Sequence, residues 1–180
     1  MQSYEDVKML RDAEEIADDV WRLVAPWEPF AKETVAGQFV RAADSIGANL
    51  AESYGRFHYG EKIQFLYYAR GSIFETKYWL NRALKRNLVT QEDHHAFTGR
   101  LAGIARQING FARHLKEKRS EQRTPNALKE SGPVYMEAET NDKPIFSDLH
   151  LAWLEINLDS DSAILQVIHA DPRHDKSFNL

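Results

Sequence analysis

Cysteine is absent from the 180 residues, which excludes disulfides and thiolate metal sites and agrees with a reducing compartment. Apolar runs are short, and none approaches the ~20 residues a membrane-spanning helix needs. Met1 is followed by QSYEDVK, with no basic-then-apolar signal, so a cytoplasmic location without membrane attachment is expected. Strand-like alternation is missing from the first 119 residues, and no glycine-rich loop follows a strand. That removes a phosphate cradle of the P-loop or dinucleotide type. No serine or histidine stands in a nucleophile context. The chain therefore reads as a non-enzyme, with no catalytic residue and no cofactor expected.

Metal sites are equally thinly supported. A di-metal carboxylate bundle needs two inward Glu-x-x-His pairs and two further glutamates. The bundle region has one such pair, Glu92 to His95, in a first helical turn where acids suit the dipole. His169, Asp171 and His174 sit together in HADPRHD and read as tail residues. No metal ligand is assigned.

What is present is ordinary in amount and uneven in placement. Hydrophobic residues make up 43% and charged residues 28%, as in soluble globular domains. The net charge of −4 conceals a segregation: residues 1–40 carry a balance of −5, residues 41–119 of +7, and residues 120–180 of −6. A basic middle is flanked by acidic ends, so the near-neutral total says little about the surface.

Helical periodicity fills the first two thirds. Ser3 with Asp6 opens a first helix through Val7, Leu10, Ala13, Ala17, Val20, Trp21, Val24 and Trp27, stopped near Pro26. A second runs from about Ala31 to Tyr54, with Val35, Phe39, Ala42, Ile46, Leu50 and Tyr54 on one face, and YGRFHYG breaks it. A third, about Glu61 to Arg86, turns Phe65, Leu66, Ala69, Ile73, Thr76, Leu80 and Leu84 inward. Thr90 with Asp93 caps a fourth, which continues to about Lys118 through Phe97, Leu101, Ile104, Ala105, Ile108, Phe111, Ala112 and Leu115. Long helices with short connections predict an all-α, up-down-up-down four-helix bundle over residues 1–119. Residues 120–180 read as an acidic, largely irregular appendage with one short helix near 147–158, capped by Ser147, and AILQVIHA (163–170) as either strand or helix. That tail is expected either to stay irregular or to dock on the bundle. Its charge is expected to compete weakly with phosphate for the basic body.

Two segments have distinctive fillings. RAADSIGANLAESYGR (41–56) contributes Arg41, Ala42, Ala43, Ser45, Ile46, Ala48, Asn49, Leu50, Ala51 and Glu52, and FLYYARGSIFE (65–75) contributes Phe65, Leu66, Ala69, Arg70, Gly71, Ser72 and Glu75. At these positions the chain resembles the family of 23S rRNA intervening-sequence proteins, which includes the accessory variability determinant of diversity-generating retroelements. The resemblance covers about residues 4–118. Gly47 stands where the family usually has proline and Ser53 where it often has glycine, and nothing carries over to the tail. It implies a non-enzymatic bundle assembled as a ring-like homopentamer. It also implies basic surfaces that engage nucleic acid, or a nucleic-acid enzyme such as a reverse transcriptase.

The residues themselves carry further expectations. Ala43, Gly47 and Ala51 recur every four residues, a flank that permits close helix approach, either inside the bundle or between subunits. Asn49 at the edge of the core face and Glu52, four before Arg56 in a favourable pair orientation, suit either a bundle polar network, with Asn49 fixing the register of the second and third helices, or a ligand contact. Arg70 and Glu75 suit either a bundle polar network or a ligand contact. On the third helix Ile63, Tyr67, Phe74 and Tyr78 form a second apolar stripe. A helix apolar on two sides is covered from outside, by a neighbouring subunit or by stacked bases. Gly99, Gly103 and Gly110 form a strip on the fourth helix, where a close external contact is expected. Arg82, Lys85, Arg86, Arg106 and Arg113, with Arg70 beside the stripe, are the candidates for binding RNA or DNA phosphates. The competing expectation is a protein scaffold in which Asp12, Glu15 and Asp19 of the first helix pair with a neighbour's basic face.

Overall fold

The structure, a computed structural model, describes residues 4–122 and 144–155. Among them there is no strand. The helices are α1 (Tyr4–Val24), α2 (Pro29–Ala31), a π-helical turn (Lys32–Ala36), α3 (Gly37–Gly55), α4 (Tyr59–Lys85), α5 (Gln91–Gln122) and α6 (Asp148–Glu155). The expected Ser3 cap, segment 163–170 and the group of His169, Asp171 and His174 lie outside the described residues, as do residues 156–158 of the expected tail helix.

Caps follow from local chemistry. Pro29 starts α2 where a missing N–H costs nothing. The Thr90 hydroxyl accepts from the Asp93 N–H at 3.0 Å, the expected cap of α5. At the end of α4, Asn87 takes φ 56°, and the N–H groups of Asn87 and Leu88 donate to the carbonyls of Leu84 and Ala83, both at 2.9 Å. This is a Schellman closure, with asparagine tolerating the left-handed position. α2, the π-turn and α3 run on as one rod. The wide turn, in which the Gly37 N–H donates to the Lys32 carbonyl, sets both Val35 and Ala36 in the core.

Side-chain contacts fix the antiparallel order. α3 meets α4 where the Asn49 amide donates to Ser72 Oγ at 3.3 Å and Ser53 Oγ to the Lys62 carbonyl at 3.0 Å; of its two expected roles, Asn49 thus shows that of the polar network. α4 meets α5 where Lys77 Nζ donates to Thr98 Oγ1 at 2.8 Å, and where His94 Nε2 lies 2.8 Å from Asn81 Oδ1. α5 returns to α1 where Arg100 bonds Asp19 at 2.5 Å and Gln107 donates to Asp12 at 2.7 Å. The four long helices so close a ring, each packing on its chain neighbours and α1 on α5. Inside it Met9, Ala13, Ile16, Val20, Phe39, Ala43, Ile46, Leu50, Leu66, Ile73, Leu80, Leu101, Ile104 and Ile108 are buried. Trp21, placed on the core stripe from its spacing, is instead 65% exposed, because Ile16, Val20 and Val24 hold that stripe.

A methyl added at Gly47 would lie 3.9 Å from the Ala13 methyl, and Ala43 is fully buried. Ala43 and Gly47 of the small flank are therefore set for close packing within the bundle, Gly47 against α1, whereas Ala51 of the same flank is exposed.

Candidate nucleic-acid interface

The six candidate cations fall at two stations. From Arg70 to Arg86 is 16 residues along α4, roughly 24 Å at 1.5 Å per residue. At the C-terminal end of α4, Lys85 and Arg86 are exposed, and Arg82 carries its guanidinium carbon 5.8 Å from the Tyr78 ring centre. Arg82 Nε is buried without a hydrogen-bond partner. Tyr78 is 51% exposed and stands edge-on to Trp79. Among the described residues none of the three cations is in an ion pair, while Arg82 and Lys85 in the last turn of α4 complement its dipole.

The second station is occupied by the chain itself. Residues 144–155 dock across α4 and α5. Arg70 Nη1 donates to the Ile145 carbonyl at 2.9 Å, and Arg70 lies over the Tyr67 ring at 5.5 Å. The Asn109 side-chain amide brackets Phe146, donating to its carbonyl and accepting from its N–H, both at 2.7 Å. Phe74 is stacked by Phe146 at 5.9 Å and tilted against Trp153 at 5.1 Å. Arg106 is paired with Glu155. Arg113 and Lys116 line a groove of about 570 Å³ together with Asn109, Glu117, Pro144 and Asp148.

α6 is capped as expected, the His150 N–H donating to Ser147 Oγ at 3.3 Å and the Ser147 N–H to His150 Nδ1 at 3.1 Å. The tail is therefore a docked element rather than a loose one over these residues. Its carboxylate and carbonyl do sit on two of the candidate arginines.

This docking changes the account of the second stripe. Ile63 is 8% exposed and belongs to the core, Phe74 is covered by residues 146–153 of the same chain, and Tyr67 is half-buried. Only Tyr78 remains open. Within one chain the cover over Phe74 is the tail, where a neighbouring subunit or stacked bases were expected. Likewise Asp12 and Asp19, expected to pair with a neighbour, are engaged by Gln107 and Arg100 of α5, while Glu15 is exposed. Glu52 pairs with Arg56 as expected, and Glu75 accepts from Trp79 Nε1 at 3.4 Å.

The glycine strip is open: nothing lies within 4 Å of a methyl added at Gly99, Gly103 or Gly110. Each Gly→Ala change should thus add up to ~1 kcal/mol of stability. Gly103→Ala is expected to raise the thermal midpoint. Gly103→Leu is expected to do the same while lowering oligomer mass or nucleic-acid affinity. Unchanged mass and affinity in the Leu variant would assign the strip to solvent.

Among the described residues no group of three or more His, Asp or Glu is placed to hold a metal, and no helix is long and apolar enough to cross a membrane. Comparison with curated proteins gives no match. A family model described as 23S rRNA-intervening sequence protein matches residues 5–110. It spans all four long helices up to Gly110 and stops short of the docked tail. The chain belongs to the family of 23S rRNA-intervening sequence proteins.

Proposed function

We propose that the protein is a non-catalytic, homo-oligomeric bundle that binds RNA or DNA through basic surfaces on α4 and α5. The primary contact is the C-terminal end of α4. The observation that carries this is the grouping of exposed Lys85 and Arg86 with Arg82 stacked on exposed Tyr78. An aromatic face beside two or three cations suits a single strand, with bases stacking on the ring and phosphates neutralised beside it. Arg70, Arg106 and Arg113 form a second surface, where Ile145 and Glu155 stand in part on the cations. The ring-like pentamer expected from the family resemblance would repeat the primary contact around an axis.

A second reading has its own support. Trp21 is 65% and Phe30 78% exposed, and they lie on the α1–α2 corner, at the same end of the bundle as Arg82. Such side chains suit a protein partner, in which case the chain is a scaffold or an accessory subunit of a nucleic-acid enzyme such as a reverse transcriptase.

Titrating the protein with a labelled single strand and a labelled duplex at two salt concentrations separates the readings. The expected result is tighter binding to the single strand, falling steeply with salt. Absence of binding to both at low salt would leave the scaffold reading.

A further inference from the structure

Residues 144–155 lie on the bundle in the manner of a bound peptide. Three successive backbone groups, the Ile145 carbonyl and the N–H and carbonyl of Phe146, are held by side chains of α4 and α5. The pair of hydrogen bonds to Asn109 satisfies both backbone polar groups of Phe146, as an added strand does for an incoming segment. Around it the side chains enter apolar surroundings: Ile145 and Leu154 are fully buried, and Phe146 is 1% exposed. Trp153 and the edge of His150 close on Phe74, and Glu155 reaches Arg106. Backbone bonds supply affinity, and pockets for particular side chains supply specificity.

Covalent connection does not fix which copy supplies this segment. The four long helices close their ring through their own contacts. Residues 123–143 separate Gln122 from Pro144, and a stretch of that length reaches at most ~70 Å. Two packed helices span only about 20–24 Å, so the same face of an adjacent copy is within reach. An exchanged segment would remake the same hydrogen bonds, stacking and ion pair. The balance then rests on effective concentration, on the order of millimolar for the tethered segment, against that of a second chain.

We propose that the α4–α5 face bearing Arg70, Phe74, Arg106 and Asn109 is a peptide-docking site, and that its exchange partner is residues 144–155 of a second copy of this chain. The site takes an apolar–Phe pair at a bend, followed by a short helix that presents tryptophan and ends in an acid. It shares Arg70 and Arg106 with the second basic surface, but peptide docking does not rest on nucleic-acid binding, whose primary contact lies at the C-terminal end of α4.

The full chain carrying Phe146→Asp releases the resident segment and leaves the bundle face unaltered. The probe is a fluorescein-labelled peptide of residues 144–155, followed by anisotropy. The peptide is expected to bind this variant at least tenfold more tightly than the parent, whose own segment competes. Adding Asn109→Ala should weaken that binding at least tenfold, and a peptide bearing Phe146→Asp, or a scrambled one, should not bind. Trp153→Asp serves as a second releasing variant if Phe146→Asp loses helical circular dichroism. No binding to a helical released variant, indifference to Asn109→Ala, equal binding by the parent, or equal binding of the scrambled peptide would each overturn the proposal. Loss of helix in both variants would overturn it as well, by making the segment an integral part of the core.

Discussion

Replacing Arg82, Lys85 and Arg86 together by alanine is expected to lower single-strand affinity by about two orders of magnitude at ~50 mM salt. Each phosphate neutralised contributes roughly 0.7 to the slope of log affinity against log salt on a single strand. Three contacts make up about 2 of that slope, and from ~1 M to ~50 mM salt this amounts to between two and three decades. The three residues occupy i, i+3 and i+4 positions, so they face one strand together. The fold should survive. The helix loses a few tenths of a kcal/mol of dipole compensation per cation, but its closure rests on backbone bonds of Asn87 and Leu88. Tyr78→Ala, which removes the ring and no charge, should weaken binding by ~1–3 kcal/mol and leave the salt slope unchanged. A triple variant with parental affinity and slope would move the interface to Arg70, Arg106 and Arg113, or remove it.

Much of the bundle was legible because its signals are local. Apolar spacing located the four long helices, Thr90 with Asp93 marked the start of α5, and Asn49 found its partner on the next helix at Ser72. The miss on α4 is of a different kind. Periodicity can say that Phe74 lies on a second covered face, but not what covers it. The cover comes from residues more than seventy positions downstream, across an aperiodic stretch. One local signal was available there. Phe146 precedes the Ser147 cap and Leu151 follows at the fourth helical position, the pattern of a hydrophobic staple. It marks a helix whose entry is anchored by an aromatic, and an anchored helix needs a surface. Asn109 gave no such signal, since an asparagine at the edge of a core face reads the same whether it holds a partner helix or a peptide. The acidic face of α1 misled for a similar reason: opposite charge on α5 of the same chain answers it as well as charge on a neighbour.

Lys77 was also invisible, since a lysine at helical spacing reads as a solvated residue, yet it is 1% exposed. Burial pushes its ammonium down to a pKa of about 8. Lys77→Met is therefore expected to stabilise the protein at pH 7 by about 3 kcal/mol, the free energy that burial takes from the charged ammonium. Methionine matches the length and flexibility of the stem. Thr98, which accepts from Lys77, keeps its own donation to the His94 carbonyl at 2.6 Å. The pH dependence makes the test specific. Below pH 8 the lysine is charged in both states and the folded chain carries the whole burial cost. Between pH 8 and the ordinary lysine value of 10.5 the unfolded chain holds a proton that the folded one has released, so parental stability rises with pH. The advantage of Lys77→Met should consequently shrink across that interval and vanish above it. Because other lysines and tyrosines titrate there too, the quantity to follow is the difference between the two proteins, measured by urea unfolding from pH 7 to 10.5. A constant difference would mean that the ammonium is not penalised by burial. A destabilised methionine variant would mean that its hydrogen bonds between α4 and α5 outweigh that penalty.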